Sequence, residues 1–215
     1  MDLYAMPASA PCRSVIMLAE ALGIKFNLKV INTMEGEQLK PEYLKINPQH
    51  TIPTIVEEDG FTLWESRAIL AYLVEKYGKD DLLYPKDPQQ RALVNQRLYF
   101  DMGVLNEAFK NYFYPQFREN KPADPELFKK VEDGFELFNT FLEGQQYAAG
   151  SQQTIADYAL LATVSTCQLM GVQLSKFPNV DKWYQHVSKT TPGFEASYKI
   201  VVEMKTKLEA MKKAK

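Results

Sequence analysis

Two cysteines in 215 residues are too few for a disulfide framework, and their wide separation fits a reducing compartment. No apolar run approaches the roughly 20 residues that a membrane-spanning helix needs. Met1-Asp2 opens straight into chain with Pro7 and Pro11 close behind, unlike a secretory leader. Charge of one sign is also missing. A net charge of −2 gives no reason to expect nucleic acid or an acidic membrane surface as partner. Lysines gather over Met204–Lys215 at the C-terminus, which reads as a solvated end, and no internal repeat appears. What is present is ordinary for a soluble globular protein: 46% hydrophobic residues, 24% charged, and length for one or two domains. The expectation is a soluble, cytoplasmic protein with no metal site.

The stretch from Asn47 to Ala68 carries the densest chemistry. Ile52-Pro53 precedes an alternating apolar run, and proline tolerates a cis bond at far lower cost than any other residue. A cis turn there would leave the backbone N–H and C=O of Ile52 facing outward, ready to pair with an extended peptide. Further on, Glu65-Ser66 precedes a helical pattern at Ala68, Ile69, Tyr72 and Leu73. An acidic residue, a hydroxyl and uncapped N–H groups at a helix start favour an anionic group. Together these features describe a site for a small zwitterionic peptide.

Taken in order, Leu3–Ala5 reads as a strand, followed by a helix through Val15, Ile16, Leu18 and Leu22 that Gly23 stops. Phe26–Ile31 reads as a second strand, completing a right-handed crossover with a parallel pair. Lys40–Ile46 is a short helix; Thr54–Val56 and Phe61–Leu63 flank a turn at Glu57–Gly60; Ser66–Tyr77 is a helix ending at Gly78. This order predicts an α/β thioredoxin-like domain over residues 1–78. Residues 79–88, with Pro85 and Pro88, read as a linker, and 89–215 as an all-α domain. In it, Gln89–Glu119 is one long helical stretch, expected to bend or break near Tyr114-Pro115. Asp124-Pro125 starts a helix with an apolar stripe at Leu127, Phe128, Val131, Phe135, Phe138, Phe141 and Leu142. Thr154–Asp157 is a capping box, and Tyr158–Met170, apolar nearly all round, is the buried central helix. Val180–Lys189 and Pro192–Met211 supply two more.

Ser9-Ala10-Pro11-Cys12-Arg13-Ser14-Val15, Asn47 to Thr54, Trp64-Glu65-Ser66-Arg67-Ala68-Ile69, Asn95 to Gly103 and the Thr154–Asp157 box, in this order and spacing, resemble a cytosolic glutathione transferase, most closely the insect delta class. The resemblance covers essentially the whole chain. It implies conjugation of glutathione, the co-substrate, to small apolar electrophiles, with detoxification and insecticide resistance as the setting. Dehydrochlorination or hydroperoxide reduction are implied as side activities. Ser9 would be catalytic, donating a hydrogen bond to the glutathione thiolate. His50, Ile52 through its backbone, Pro53, Glu65, Ser66, Arg67 and Gln38 would bind glutathione. Asp101 would reach across a homodimer interface toward the neighbour's γ-glutamyl group, with Tyr99 and Met102 along that interface. Ala10, Pro11, Asn106, Phe109, Tyr114 and Phe117 would line the electrophile pocket. Asp157 would serve folding.

The chemistry asks something definite of Ser9. A free thiol has a pKa of about 8.5 and attacks only as thiolate. Lowering that pKa by about two units takes roughly 2.7 kcal/mol of preferential binding to the anion. One charge-assisted hydrogen bond contributes about 1.5–3 kcal/mol, which is the right size. Three residues depart from the family pattern. Ala8 replaces a usual glycine, Gln38 a common histidine at the glycyl carboxylate, and Asn106 a tyrosine of the electrophile pocket. They sustain an alternative reading as a non-catalytic, ligandin-like binding protein. A further alternative is thiol–disulfide exchange through Cys12, since Ser9-x-x-Cys12 has thioredoxin spacing with serine in the leading place.

Overall fold

The computed structural model describes residues 1–213, so Ala214 and Lys215 of the lysine-rich tail lie outside the described residues. The chain divides into two compact units, one of residues 1–81 with the segment from Thr191 onward, the other of Leu82–Thr190.

In the first unit, β1 (Asp2–Ala5), α1 (Ala10–Leu22) and β2 (Asn27–Val30) form the expected crossover, with β1 and β2 parallel. Pro11 sits in the first turn of α1, where no N–H is missed. Gly23 ends the helix at φ 69°, and Ile24 N–H donates back to the Ala19 carbonyl. A single helical turn, α2 (Pro41–Leu44), leads to the hairpin of β3 (Thr54–Val56) and β4 (Thr62–Trp64), then α3 (Ser66–Tyr77). The sheet order is β2-β1-β3-β4, with β3 antiparallel to both β1 and β4. Leu3 and Ala5 alternate inward with Ile55 and meet Val15, Leu18, Ile69, Leu70 and Leu73, all fully buried.

The hairpin is also tied to α3 by a polar knot. The Glu57 carboxylate accepts from Tyr72 Oη (2.8 Å), Lys76 Nζ (2.9 Å) and Tyr77 Oη (2.7 Å). Burial alone would push this carboxyl up, but the three donors outweigh it and hold it below its ordinary value of 4.5.

The second unit is helical: α4 (Pro88–Phe100), α5 (Asn106–Arg118), α6 (Pro125–Phe141), α7 (Ile155–Leu169) and α8 (Pro178–Thr190). Asp87 and Asp124 cap α4 and α6 by accepting from the first free N–H groups, each followed by proline. Every residue of α7 from Ile155 to Cys167 is buried, as its largely apolar circumference requires, with Asp157, Thr163, Ser165 and Thr166 carried inside. The Asp157 carboxylate, itself fully buried, accepts from Ala148 N (2.8 Å), Thr154 N (2.9 Å) and Trp183 Nε1 (2.9 Å). One side chain thereby joins the loop before α7, the start of α7 and α8.

Two expectations change. The long helical stretch does not break at Pro115, which lies inside the last turn of α5, where one missing donor interrupts little. The irregularity is instead a π-helical turn over Asp101–Leu105, in which Asn106 N–H donates to the Asp101 carbonyl five residues back. Gly134 of α6 packs here, a Cβ at that position standing 3.0 Å from Leu105 Cδ2. The final helix, α9 (Phe194–Lys213), groups with the first unit rather than with the other helices. Buried Arg13 of α1 donates from Nε to Ser197 Oγ at 2.9 Å, and Gly193 lies against Glu20 and Met17.

Replacing Asp157 with alanine orphans two backbone donors and an indole. It should cost about 3–5 kcal/mol, read as a lowered urea midpoint of the helical unit. Glu57→Gln should lose about 1–3 kcal/mol at pH 7. A depressed carboxyl stabilises above its unfolded pKa and loses that contribution as pH falls through the folded one. The difference between wild type and Glu57→Gln in denaturant titrations should therefore shrink as pH is lowered below the ordinary value of 4.5.

Candidate active site

Strand register decides which residues meet. Tyr4 pairs with Thr54, and Thr54 with Trp64. The residue after β1, the residues before β3 and the residues after β4 therefore leave the sheet at one end. Ser9 follows β1 there, Ile52-Pro53 precede β3, and Glu65-Ser66 follow β4. The parallel pairing of Ala5 with Val30 brings the chain toward Gln38 out at the same end.

Ser9 is the N-cap of α1 in extended conformation, and its side chain makes no capping bond. Its hydroxyl thus stands at the positive end of a 13-residue helix without being turned onto it. The Ile52-Pro53 bond is cis, as the sequence suggested. No described residue pairs with the backbone of Ile52, which leaves both its groups for an added strand. The loop is shaped from beneath by Asn47, fully buried, whose Nδ2 donates to the Thr51 carbonyl (3.0 Å) and Thr54 Oγ1 (3.0 Å). Tyr43 Oη donates to the same Thr51 carbonyl at 2.5 Å. His50 stands beside this loop with φ 49°, solvent-exposed.

Glu65 N-caps α3 at φ 68°, a conformation that side chains other than glycine rarely adopt. Ser66 is buried and accepts from Arg67 Nη1 at 2.9 Å. Glu65 does not cap the helix with its side chain, so its carboxylate is turned elsewhere. It meets Gln49, whose Nε2 donates to Glu65 Oε1 (3.0 Å) while Trp64 Nε1 donates to Gln49 Oε1 (2.9 Å). Gln38 lies in a short 3-10 turn, its Oε1 buried and accepting from no described residue. That acceptor suits a donor from a ligand, or an amide turned to donate to a carboxylate.

The remaining sequence-predicted residues fall on the helical unit, apart from Ala10 and Pro11, which open α1. Asn106 begins α5; Phe109 packs on Phe113 (4.8 Å between centroids) and Tyr114 (6.0 Å), and Phe113 stacks on Phe117 (6.4 Å). Phe113, not singled out in the sequence, is the middle ring of this stripe, and its spacing of four from both 109 and 117 is the signal. Asp101 does not fit the role given to it. Its side chain has 0% exposure, so it presents nothing to a neighbouring subunit, whereas Tyr99 (66%) and Met102 (41%) face outward. Sequence reasoning gives no role to Asn47, Tyr43, Gln49 or Trp64. The first two are found only through their bonds to Thr51 and Thr54, and Gln49 and Trp64 meet only through the pairing of β3 with β4.

Cys12 is fully buried, and burial pushes its thiol up to about 12 against the opposing pull of hydrogen bonds to Met6 and Ser9. A thiol so placed is inert at neutral pH, which removes the support for exchange chemistry. Among the described residues no cluster of His, Cys, Asp and Glu could hold a metal ion. None of their helices is long and apolar enough to cross a membrane.

Family models match both parts of the chain. Residues 3–81 match the glutathione S-transferase N-terminal domain and residues 100–190 the glutathione S-transferase C-terminal domain. Among solved structures, a delta-class glutathione transferase of Nilaparvata lugens is 44% identical, with a TM-score of 0.90 over 96% of this chain and 99% of that one. A Bombyx mori glutathione transferase is 41% identical, with a TM-score of 0.89 over 94% and 96% of the two chains. An epsilon-class enzyme of the housefly Musca domestica is 38% identical, with a TM-score of 0.88 over 96% and 97%. Matched from end to end at these identities, and folded as a thioredoxin-like unit followed by helices, the chain belongs to the glutathione S-transferase family and is a glutathione transferase enzyme.

Proposed function

We propose that this enzyme activates the glutathione thiol through Ser9 and conjugates it to apolar electrophiles. The observation that carries the reading is the convergence at one sheet end of an uncapped serine hydroxyl, the unpaired backbone of Ile52 and the start of α3. These match the parts of a γ-glutamyl tripeptide. Ile52 and Pro53 receive the cysteinyl unit as an added strand, which directs its sulfur toward Ser9. Ser66, Arg67 and the α3 N-terminus take the γ-glutamyl carboxylate, and Glu65 its ammonium. His50 and Gln38 serve the glycyl end.

Ser9 Oγ donates its hydrogen to the sulfur anion, and the α1 dipole adds to that stabilisation. Sulfur then attacks the electrophilic carbon, a bond forms between them, and the leaving group departs with the electron pair. Serine remains a donor throughout and forms no covalent bond. Asn106, Phe109, Tyr114 and Phe117 supply a largely aromatic surface for the electrophile on the helical unit. The 1–78 segment would act as the glutathione-binding domain, 79–88 as linker and the helices from 89 as the electrophile-binding part. Tyr99 and Met102 form part of a homodimer face, and the setting is cytoplasmic detoxification, with dehydrochlorination or hydroperoxide reduction as side reactions.

A pH titration of thiolate absorbance for bound glutathione tests the mechanism. Wild type should lower the thiol pKa by about two units, and Ser9→Ala should return it toward about 8.5, with kcat falling about 10- to 100-fold. Binding without any pKa shift in wild type would turn the reading toward a ligand-binding protein. Cys12→Ala should leave kcat within about a factor of two of wild type; loss of activity in a folded variant would restore the exchange reading.

A further inference from the structure

We propose that Gln49 is a positioning residue that aims the Glu65 carboxylate at the γ-glutamyl ammonium, with Trp64 fixing which way it points. The inference rests on the glutathione reading and deepens it.

An indole N–H can only donate. Trp64 Nε1, 2.9 Å from Gln49 Oε1, therefore settles the orientation of the amide, carbonyl toward the indole and NH₂ away from it. The NH₂ then has one use, and it donates to Glu65 Oε1 at 3.0 Å. The relay has a single direction, from Trp64 through Gln49 to Glu65.

The other end of Gln49 is anchored as well. Its backbone N–H donates to Asn47 Oδ1 at 2.9 Å, and Asn47 is fully buried. An exposed glutamine would otherwise sample several rotamers; this one is held by backbone and side chain together. Glu65 needs such help, because its left-handed backbone keeps the carboxylate off its own helix start. Gln49 occupies only Oε1, and no described residue engages Oε2. A carboxylate with one oxygen tethered and the other open is suited to a single ammonium. Gln49 itself touches no reacting atom, and its effect reaches the ligand only through Glu65.

The test compares glutathione with its deaminated analogue, which lacks the γ-glutamyl ammonium, on wild type, Gln49→Ala and Trp64→Phe. Gln49→Ala should raise KM for glutathione about 5- to 10-fold, the net size of one ordinary solvent-exposed hydrogen bond, with kcat within about a factor of two. KM for the deaminated peptide should not move, so preference for the ammonium falls by the same factor. Trp64→Phe frees the amide to turn and should shift preference in the same direction by a smaller factor. Equal changes for both peptides, or none for either, in Gln49→Ala would overturn the inference alone, provided wild type prefers glutathione. A wild type that does not distinguish the two peptides overturns both this inference and the assignment of Glu65.

Discussion

Pairing between β1, β3 and β4 is the constraint on which the site depends. Side chains alternate along a strand, so a slip of one residue would turn Leu3, Ala5 and Ile55 out of the core. The same slip would move Ile52 and Glu65 relative to Ser9, because each leaves the sheet within a few residues of the Tyr4, Thr54 and Trp64 row. Burial of the apolar face and assembly of the candidate site are thus one requirement. The hydrophobic effect enforces the register, and the register brings the candidate residues to one end of the sheet.

Polar groups then fix what apolar packing leaves loose. Asn47, Glu57 and Asp157 are each buried; Glu57 and Asp157 draw together segments far apart in sequence, while Asn47 pins a local loop. Oil-like contacts are non-directional, whereas a buried amide or carboxylate is costly unless its partners stand in particular places. Asn47 shapes the loop before β3, Glu57 ties the far end of the hairpin to α3, and Asp157 closes the helical unit around α7.

Much of this was legible in the residues. Apolar periods gave the elements of both units, Ile52-Pro53 gave the cis turn, and Thr154–Asp157 gave the capping box. The misreadings have physical causes. Pro115 leads one to expect a bend or break there, yet it removes a single donor and α5 carries on to Arg118. A π turn keeps its helix hydrogen-bonded and so leaves little trace in sequence. The family resemblance implies that Asp101 reaches across a dimer interface, yet in this chain the π turn carries it fully inside. The Gln49–Trp64–Glu65 relay was invisible for another reason. Fifteen residues separate Gln49 from Trp64, and only strand pairing brings them together.

The burial of the cysteines has a bearing on the protein's own survival. Both Cys12 and Cys167 are fully buried, and burial raises both thiols. Burial pushes Cys12 up to about 12, so at neutral pH it stays a thiol. Compounds that seek out sulfur anions would find none on the folded chain that they could reach. Both of the chain's own sulfurs are thereby kept out of reach of such compounds.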